Sequence, residues 1–251
     1  MSSRLPAWLD TRTGARPGIA HLLDFTLLKP EATRDDILRL CDEAAAAATW
    51  AVCVNGAWVA TCVERLRGSG VRVAAVVGFP LGAASGAAKA AEAAVAVADG
   101  AVELDMVLQL GRAKAGDWPA VADDVEVVVG AARATLVKVI VESAALGSEE
   151  LTLACRAVVA GGADFVKTST GFHPAGGATV EAVRHMRSVV GPAIGVKASG
   201  GIRTAEQAVA MITAGANRIG LSSLAGLRGI VGPSAPPLGE LVRGHLSGLP
   251  G

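Results

Sequence analysis

The sequence contains little that would support redox, metal or nucleotide chemistry. Among its 251 residues there is no tyrosine, and the four cysteines are widely spaced without a C-x-x-C pair, which argues against a disulfide framework or thiolate metal site and favours a reducing cytoplasm. The four histidines show no H-x-x-x-H spacing, so we expect no bound metal. Neither a G-x-G-x-x-G nor a G-x-x-x-x-G-K-S/T loop occurs, and we expect no nucleotide cofactor.

Charge and hydropathy argue against two further classes of partner. Basic and acidic residues both number 23, so there is no basic field to attract nucleic acid or an anionic membrane. Residues 1–18 lack the apolar core of a signal peptide, which predicts that the protein is not exported. The most apolar long stretch, residues 86–102, is mostly alanine with three charges and predicts a surface helix running into a strand. Small neutral or anionic molecules remain as candidate ligands.

Short β-branched runs alternate with alanine-rich helical patterns along the chain. The eight runs are residues 21–28, 51–55, 72–79, 101–108, 136–143, 164–170, 193–200 and 217–223. They recur at intervals of roughly 20 to 35 residues, as repeated βα units do, and their near-continuous apolar character is typical of parallel strands covered on both faces. Eight such units predict an α/β protein with a single (β/α)8 TIM barrel as one domain over residues 1–251.

Two further signals concern the ends of elements. Thr33 and Thr204 each precede a helical pattern and are predicted N-caps, because their hydroxyls can accept from the unpaired amides of the first helical turn. Residues 229–251 are rich in glycine and proline, which argues against a long closing helix. This segment is predicted to be a mobile tail with a short helix at 238–245.

Lysine is used sparingly and in unusual places. Six of the 23 basic residues are lysine, and Lys138, Lys167 and Lys197 fall inside predicted strands. A lone strand lysine is more often an edge or snorkelling residue. However, Lys167 and Lys197 stand near the carboxyl ends of consecutive strands, about 4.8 Å apart, where a barrel collects its chemistry. Two ammonium groups crowded there disfavour each other's charge, which predicts one neutral lysine able to form an imine with a carbonyl substrate.

Asp105 is the acid–base candidate beside these lysines. It stands near the end of predicted strand four, which shares parity with strand six, so both side chains can enter the same interior layer and relay protons. The alternative is a buried aspartate that merely pairs with Lys138. Glu103 shares the face of Asp105 by the two-residue period but lies deeper, and is a weaker candidate.

Other charges are expected to support this group. Asp24 and Thr26 lie on one face of predicted strand one, where Asp24 can orient Lys197; a structural salt bridge or a helix cap is at least as well supported for Asp24. Lys138 and Glu142 share a face of strand five, which we interpret as a supporting charge network rather than as catalysts.

Glycine-rich loops follow the last three predicted strands. In many barrels the loops after strands seven and eight bind phosphate through backbone amides and the first turn of a short helix. We expect that role for Gly171, Gly200, Gly201, Gly220, Ser222 and Ser223, with Arg203 adding a charge. Glycine pairs also mark ordinary turns, so the prediction depends on the loops after strands seven and eight lying side by side in the fold.

Eight strings of the sequence carry a resemblance to a known family. They are DFTLLKP, AVCVN, VVGFPLG, VELDMV, LVKVIVES, ADFVKTSTGF, GVKASGGIRT and ANRIGLSS. The most specific part is D-F-V-K-T-S-T-G-F, followed about thirty residues later by G-V-K and G-G-I-R-T. In these strings the chain closely resembles the deoxyribose-phosphate aldolase family from about residue 20 to residue 225.

The resemblance implies a reaction and assigns roles. The family reversibly cleaves 2-deoxy-D-ribose 5-phosphate into D-glyceraldehyde 3-phosphate and acetaldehyde. By matching positions, Lys167 corresponds to the Schiff-base lysine, Lys197 to the lysine that perturbs it and Asp105 to the acid–base residue. Thr170 and Asp24 match positions near the sugar and the lysine network.

The sequence also departs from the family in places and leaves alternatives open. It has no tyrosine for the C-terminal role that a tyrosine plays in some members. Phe172 stands where some members carry a lysine, so we expect phosphate contacts to rest more on backbone amides. A cofactor-free sugar-phosphate isomerase would share the glycine loops without needing two strand lysines. A catalytically dead barrel kept for binding or assembly is the non-enzymatic alternative. The alanine-rich helices can pack on a second copy, and the family's frequent dimers are a precedent for a homodimer.

Overall fold

Eight short strands pair in parallel, each with the next and the last with the first, to close a barrel. The computed structural model describes residues 18–232 and 234–248. The strands are β1 (Leu23–Leu27), β2 (Ala51–Val54), β3 (Arg72–Val77), β4 (Glu103–Val107), β5 (Leu136–Ile140), β6 (Phe165–Lys167), β7 (Gly195–Ser199) and β8 (Arg218–Leu221). The predicted (β/α)8 barrel is confirmed. Its extent as one domain over residues 1–251 reaches beyond the described residues and stays a prediction.

Helices cover the outside of the barrel. In the described residues they are α1 (Arg34–Ala47), α2 (Val59–Arg65), α3 (Gly86–Ala98), α4 (Leu110–Lys114), α5 (Trp118–Ala132), α6 (Ser148–Ala160), α7 (Val180–Val190), α8 (Ala205–Ala214) and α9 (Leu238–Ser247). Thr33 and Thr204 cap α1 and α8 as predicted, each hydroxyl accepting from the backbone amide three residues on. None of these described helices has the length and hydropathy to cross a bilayer.

The two faces of each strand serve different purposes. In β4, Leu104 and Met106 point outward into the main hydrophobic core, which lies between the strands and the helices. Glu103 and Asp105 alternate with them and therefore face the barrel interior. The same period places the charged residues of neighbouring strands inside the barrel, where their charges must compensate one another because little solvent reaches them.

Two local predictions need correction. Residues 86–102 do form a helix that leads into a strand, but Lys89 of α3 is completely buried, and its Nζ donates to Asp124 Oδ2 at 2.6 Å and to Val107 O at 2.8 Å. In the tail, the predicted short helix is present as α9; it begins at the predicted residue, runs two residues past the predicted end and buries Leu238 and Val242. Residues 1–17, on which the export prediction mainly rests, and residues 249–251 of the tail lie outside the described residues.

Candidate active site

The two strand lysines meet inside the barrel. Lys167 ends β6 and is paired directly with Lys197 of β7, so both side chains leave the sheet on the same face. Their Nζ atoms each donate to the same oxygen, Asp105 Oδ2, at 2.7 Å. The two nitrogens are therefore no farther apart than twice that distance, which is the crowding that the sequence predicted.

Asp105 of β4 is the point at which three lysines converge. Its Oδ2 accepts from Lys167 and Lys197, and its Oδ1 accepts from Lys138 Nζ at 2.7 Å. The two interpretations of Asp105 are thus not exclusive, since it pairs with Lys138 and also reaches the lysine pair. Its side chain is completely buried, so these donors replace the water it has lost.

A second layer of charge lies below this one, toward the start of the strands. Asp24 of β1 accepts from Lys197 Nζ through Oδ2 and from Arg218 through Oδ1, at 2.7 Å in the second case. Glu103 accepts from Lys138 at 2.6 Å and from Arg218 at 3.0 Å. Sequence reasoning missed Arg218, although it is a cation inside the predicted strand at residues 217–223, and a cation inside a predicted strand is the signal that drew attention to the lysines.

The predicted pairing of Glu142 with Lys138 is not found, and Glu142 lies outside this charge network. Strand β5 ends at Ile140, and Glu142 takes a left-handed backbone conformation with φ of 52°. Its Oε1 instead accepts from the Thr170 amide at 2.7 Å, while its Oε2 is buried without a hydrogen-bond partner. Glu142 therefore fixes the start of the loop after β6 and does not pair with Lys138.

The surroundings make the two lysines electrostatically different. Burial lowers the pKa of Lys167, and Lys197 adds to this effect, so that Asp105 only partly restores the charged form. Burial acts in the same direction on Lys197, but Asp105 and Asp24 outweigh it and raise the pKa of Lys197. Burial alone would raise the pKa of Asp105, yet its three lysine partners hold it well below the ordinary value. Lys167 is thus the lysine that most readily becomes neutral.

A cavity of about 760 Å³ opens above Lys167 at the carboxyl ends of the strands. It is lined by Thr170 and all six predicted phosphate-loop residues, Gly171, Gly200, Gly201, Gly220, Ser222 and Ser223, together with Arg203 and Phe172. Asp24, Asp105 and Lys197 lie beneath it and are completely buried. Within residues 18–232 and 234–248, no three histidine, cysteine or carboxylate side chains are placed to hold a metal ion.

Glycines allow the close approach of the elements around this cavity. A Cβ on Gly220 of β8 would lie 3.2 Å from Lys197 Cε, so glycine leaves room for that side chain. In the loop after β6, a Cβ on Gly177 would lie 2.2 Å from the Gly200 carbonyl oxygen. The loops after β6 and β7 are therefore packed backbone to backbone over the lysine pair.

Aromatic and sulfur side chains complete the mouth of the barrel. Phe172 is half exposed and meets Phe79 edge to face, with ring centroids 5.2 Å apart. Cys53 Sγ lies 3.9 Å from Asp105 Oδ2, and burial raises the pKa of this thiol to about 11, so it is uncharged at neutral pH. His173 turns its Nδ1 to the Ala175 amide at 3.1 Å and does not line the cavity.

A closed parallel barrel with a lysine under an open polar cavity at the carboxyl ends of its strands defines an enzyme of the (β/α)8-barrel class. Residues 19–230 match the family model described as DeoC/LacD family aldolase. The chain belongs to this family, and the resemblance seen in its motifs is confirmed. Every candidate residue named above lies within the matched span.

Individual relatives agree with the family match. The chain is 56% identical over 211 residues to deoxyribose-phosphate aldolase of Mycobacterium tuberculosis, with 82% of this chain and 93% of the relative covered. It is 52% identical over 208 residues to the enzyme of that name from Kocuria rhizophila, covering 82% and 94%. The structure of deoxyribose phosphate aldolase from Aeropyrum pernix, described as a unique tetramer, superposes with a TM-score of 0.78 at 34% identity, covering 83% and 88%.

Proposed function

We propose that this aldolase reversibly cleaves 2-deoxy-D-ribose 5-phosphate into D-glyceraldehyde 3-phosphate and acetaldehyde through a Schiff base on Lys167. The observation that carries the proposal is the environment of Lys167, which reaches the cavity, donates to Asp105 and has a lowered pKa. The names of the relatives at 52–56% identity support the choice of substrate.

The neutral amine opens the reaction. Lys167 Nζ attacks C1 of the open-chain sugar to give a carbinolamine, which loses water to form a protonated imine. The C3 hydroxyl then loses its proton as the C2–C3 bond breaks, and the bonding electrons move to the imine nitrogen to leave an enamine. Protonation of the enamine at C2 and hydrolysis release acetaldehyde and the free amine.

Asp105 and Lys197 hold the protons that these steps move. Asp105 is ionised and hydrogen-bonded to both lysines, so it is placed to accept a proton and return it, with a water molecule spanning the distance to the C3 hydroxyl. Lys197 stays charged because Asp24 and Asp105 flank it, and its charge favours the neutral form of Lys167.

The glycine-rich loops are proposed to bind the substrate phosphate. The loops after β6, β7 and β8 line one cavity, and backbone amides of such loops bind phosphate in many barrels. Gly171, Gly200 and Gly201 have φ values of 82°, 86° and 81°, which glycine adopts without strain. Arg203 and Lys29 line the same cavity and supply positive charge for the dianion.

Borohydride trapping tests the chemistry directly. Protein incubated with deoxyribose phosphate and reduced should carry one covalent adduct on Lys167, located by mass spectrometry after proteolysis. Lys167→Ala should lose both the adduct and the turnover, whereas Lys114→Ala, which changes a half-exposed lysine paired with Glu150, should retain both. Wild type that turns over deoxyribose phosphate without an adduct would exclude the Schiff base, and isomerisation without cleavage would favour the isomerase alternative.

The remaining parts of the proposal concern setting and assembly. We place the enzyme in the cytoplasm, acting on diffusible sugar phosphate and aldehyde without a nucleic acid or membrane partner. A homodimer is the proposed assembly. Light scattering after size-exclusion chromatography should give about twice the mass of the 25.1 kDa chain, and a monomer or tetramer would contradict it.

A further inference from the structure

The buried charges of the barrel form one connected cluster. Among the described residues it contains four cations, Lys138, Lys167, Lys197 and Arg218, and three carboxylates, Asp24, Glu103 and Asp105. Each of the seven side chains is at most 6% exposed, so the cluster has little water to screen it. An unbalanced charge is costly in such surroundings.

Arg218 occupies the end of this cluster that is farthest from the cavity. It is the first residue of β8, and its guanidinium donates to Asp24 at 2.7 Å and to Glu103 at 3.0 Å. The guanidinium carbon also lies 4.6 Å from the ring centre of Trp50, whose Nε1 donates to Glu103 at 2.6 Å. Arg218 does not line the cavity, so it acts on the substrate only through other residues.

The charge balance of the cluster depends on Arg218. A guanidinium stays protonated under all ordinary conditions, so it permanently offsets one of the three carboxylates. Two carboxylates are then left for three lysines, and the cluster is neutral when one lysine has lost its proton. If Arg218 carried no charge, three protonated lysines would balance three carboxylates and no lysine would need to be neutral.

The contacts decide which lysine gives up the proton. Lys138 pairs with Glu103 and Asp105, and Lys197 pairs with Asp24 and Asp105. In the described part of the chain Lys167 pairs with Asp105 alone, and it reaches the cavity through which a proton can leave. The lowered pKa of Lys167 and the raised pKa of Lys138 and Lys197 agree with this assignment.

Other charged groups nearby do not alter this balance. Glu142 bonds to the Thr170 amide and makes no ion pair with described residues. Arg72 is exposed and stacks 3.7 Å from the Trp50 ring centre, and the Cys53 thiol is uncharged at neutral pH. Apart from Lys167, the charged residues that line the cavity balance one another, with three cations and three carboxylates: Lys29, Arg39, Arg203, Glu31, Asp36 and Glu43.

We propose that Arg218 is a positioning residue for the aldol reaction, whose permanent charge at the amino-terminal end of the barrel leaves the buried cluster one cation in excess and so keeps Lys167 neutral. The inference rests on the proposed function, because the neutral amine is the form that attacks the substrate. It adds that the reactivity of the nucleophile is set from the opposite end of the barrel, through Asp24, Glu103 and the other two lysines.

Three variants test the charge balance in both directions. Arg218→Met should stabilise the ammonium form of Lys167, and Glu103→Gln should destabilise it. Arg218→Met/Glu103→Gln leaves three cations and two carboxylates, and therefore restores the excess of the wild type. The midpoint of Lys167 ionisation should rise by about one pH unit or more in the first variant, fall in the second and return close to the wild-type value in the double variant.

The ionisation of Lys167 is to be measured by trace acetylation with acetic anhydride between pH 5 and 11, quantified by mass spectrometry, which needs no substrate. The acid limb of kcat/KM for deoxyribose phosphate is recorded in parallel. An Arg218→Met protein that folds, as judged by circular dichroism, with an unchanged midpoint overturns the inference, as does a double variant whose midpoint stays displaced. If Arg218→Met does not fold, an unchanged midpoint in Glu103→Gln overturns it equally. Shifted labelling midpoints in a protein that does not cleave deoxyribose phosphate would remove the proposed function, and with it the role of Arg218 in the aldol reaction, but would leave the control of Lys167 ionisation by Arg218 standing.

Discussion

Lys167 and Lys197 are identical side chains at facing positions of neighbouring strands, and their neighbours alone make them chemically different. Lys197 donates to both Asp24 and Asp105, whereas Lys167 donates to Asp105 and borders the cavity. Burial disfavours the charge of both, but the carboxylates outweigh it at Lys197 and not at Lys167. A single further carboxylate contact thus separates the lysine whose charged form is favoured from the lysine that we propose as the nucleophile.

Asp105→Asn should separate the ionisation of the nucleophile from the transfer of protons. The carboxylate of Asp105 favours the charged form of Lys167, so its loss should lower the pKa of Lys167 further and move the acid limb of kcat/KM to lower pH. Asparagine cannot take up a proton, and kcat should fall by about 10²- to 10⁴-fold. A pH–rate profile with single-turnover imine trapping measures both effects. A kcat within about threefold of wild type would show that Asp105 is not the acid–base group.

For single residues, the sequence identified charged side chains that lie within otherwise apolar strand patterns. Lys167, Lys197 and Asp105 stood out because charged residues interrupt apolar strands. Their positions near the strand ends, and the shared parity of strands four and six, predicted that they meet. The prediction that Glu142 shares a strand face with Lys138 is wrong because β5 ends two residues before Glu142, at Ile140. At Glu142 the backbone is left-handed, which the residue type does not signal. The surface helix predicted at residues 86–102 gave no sign that Lys89 is buried, because its partner, Asp124, lies 35 positions away on another helix.

The loops after β6 and β7 act as one element in the proposed phosphate site, because glycine lets their backbones touch. Gly177→Ala would place a Cβ 2.2 Å from the Gly200 carbonyl oxygen, at a position with no positive φ to add strain. The loops must then separate, and KM for deoxyribose phosphate should rise by about ten- to a hundredfold. Imine trapping with acetaldehyde, which has no phosphate, should be unchanged.

Gly111→Ala provides the matched control for this substitution. Gly111 lies in α4, has no atom within 4 Å of an added Cβ and does not line the cavity. It should leave KM unchanged. Equal losses with acetaldehyde and with the phosphate substrate in Gly177→Ala would contradict a specific role of this loop contact in phosphate binding.

The contact between α3 and α5 contains the buried pair of Lys89 and Asp124, in which both side chains are at most 2% exposed. Lys89→Met should leave Asp124 charged and without its cation, and should lower the free energy of unfolding by about 3–5 kcal/mol. Lys89→Met/Asp124→Leu should recover most of that loss, because an apolar pair of similar volume avoids the cost of desolvation.

Urea unfolding followed by tryptophan fluorescence measures these differences. Arg65→Ala, which breaks an ion pair on the surface between α2 and α1, should leave the unfolding midpoint unchanged. A Lys89→Met protein as stable as wild type would show that Asp124 is compensated elsewhere. Gln109 Nε2, which donates to Asp124 Oδ1 at 3.1 Å, would then be the first candidate.

For the molecule as a whole, the barrel was predictable because closure follows from counting. Eight apolar strands separated by helices are typical of a parallel sheet in which each strand pairs with a neighbour on both sides. The first and last strands, β1 and β8, gain their second neighbour only when the sheet closes and they pair with each other. The interior charge cluster was not predictable to the same degree, since it joins Asp24 of the first strand to Arg218 of the last. Only the closed fold brings those residues together, and sequence alone gives no distance across a barrel.

The same cluster predicts how the whole molecule responds to acid. Burial opposes the charge of Asp24, but Lys197 and Arg218 outweigh it and hold the pKa of Asp24 below its ordinary value. A carboxyl with a lower pKa in the folded state stabilises the fold fully above its unfolded pKa of about 3.9, and this stabilisation is lost as the pH falls through the folded-state pKa. Below about pH 4, each such carboxyl therefore lowers the free energy of unfolding by about 1.4 kcal/mol for each unit by which the pH falls, until the folded-state pKa is reached.

Asp24→Asn should remove the contribution of Asp24 to this pH dependence of the free energy of unfolding. The variant should be less stable than wild type at pH 7, because Lys197 and Arg218 lose a charged partner, and the difference should shrink as the pH falls from 4 toward 2. Urea unfolding at half-unit pH intervals measures both curves. Parallel curves for wild type and variant below pH 4 would mean that Asp24 takes up its proton equally in both states, and that the interior ion pairs do not hold its charge.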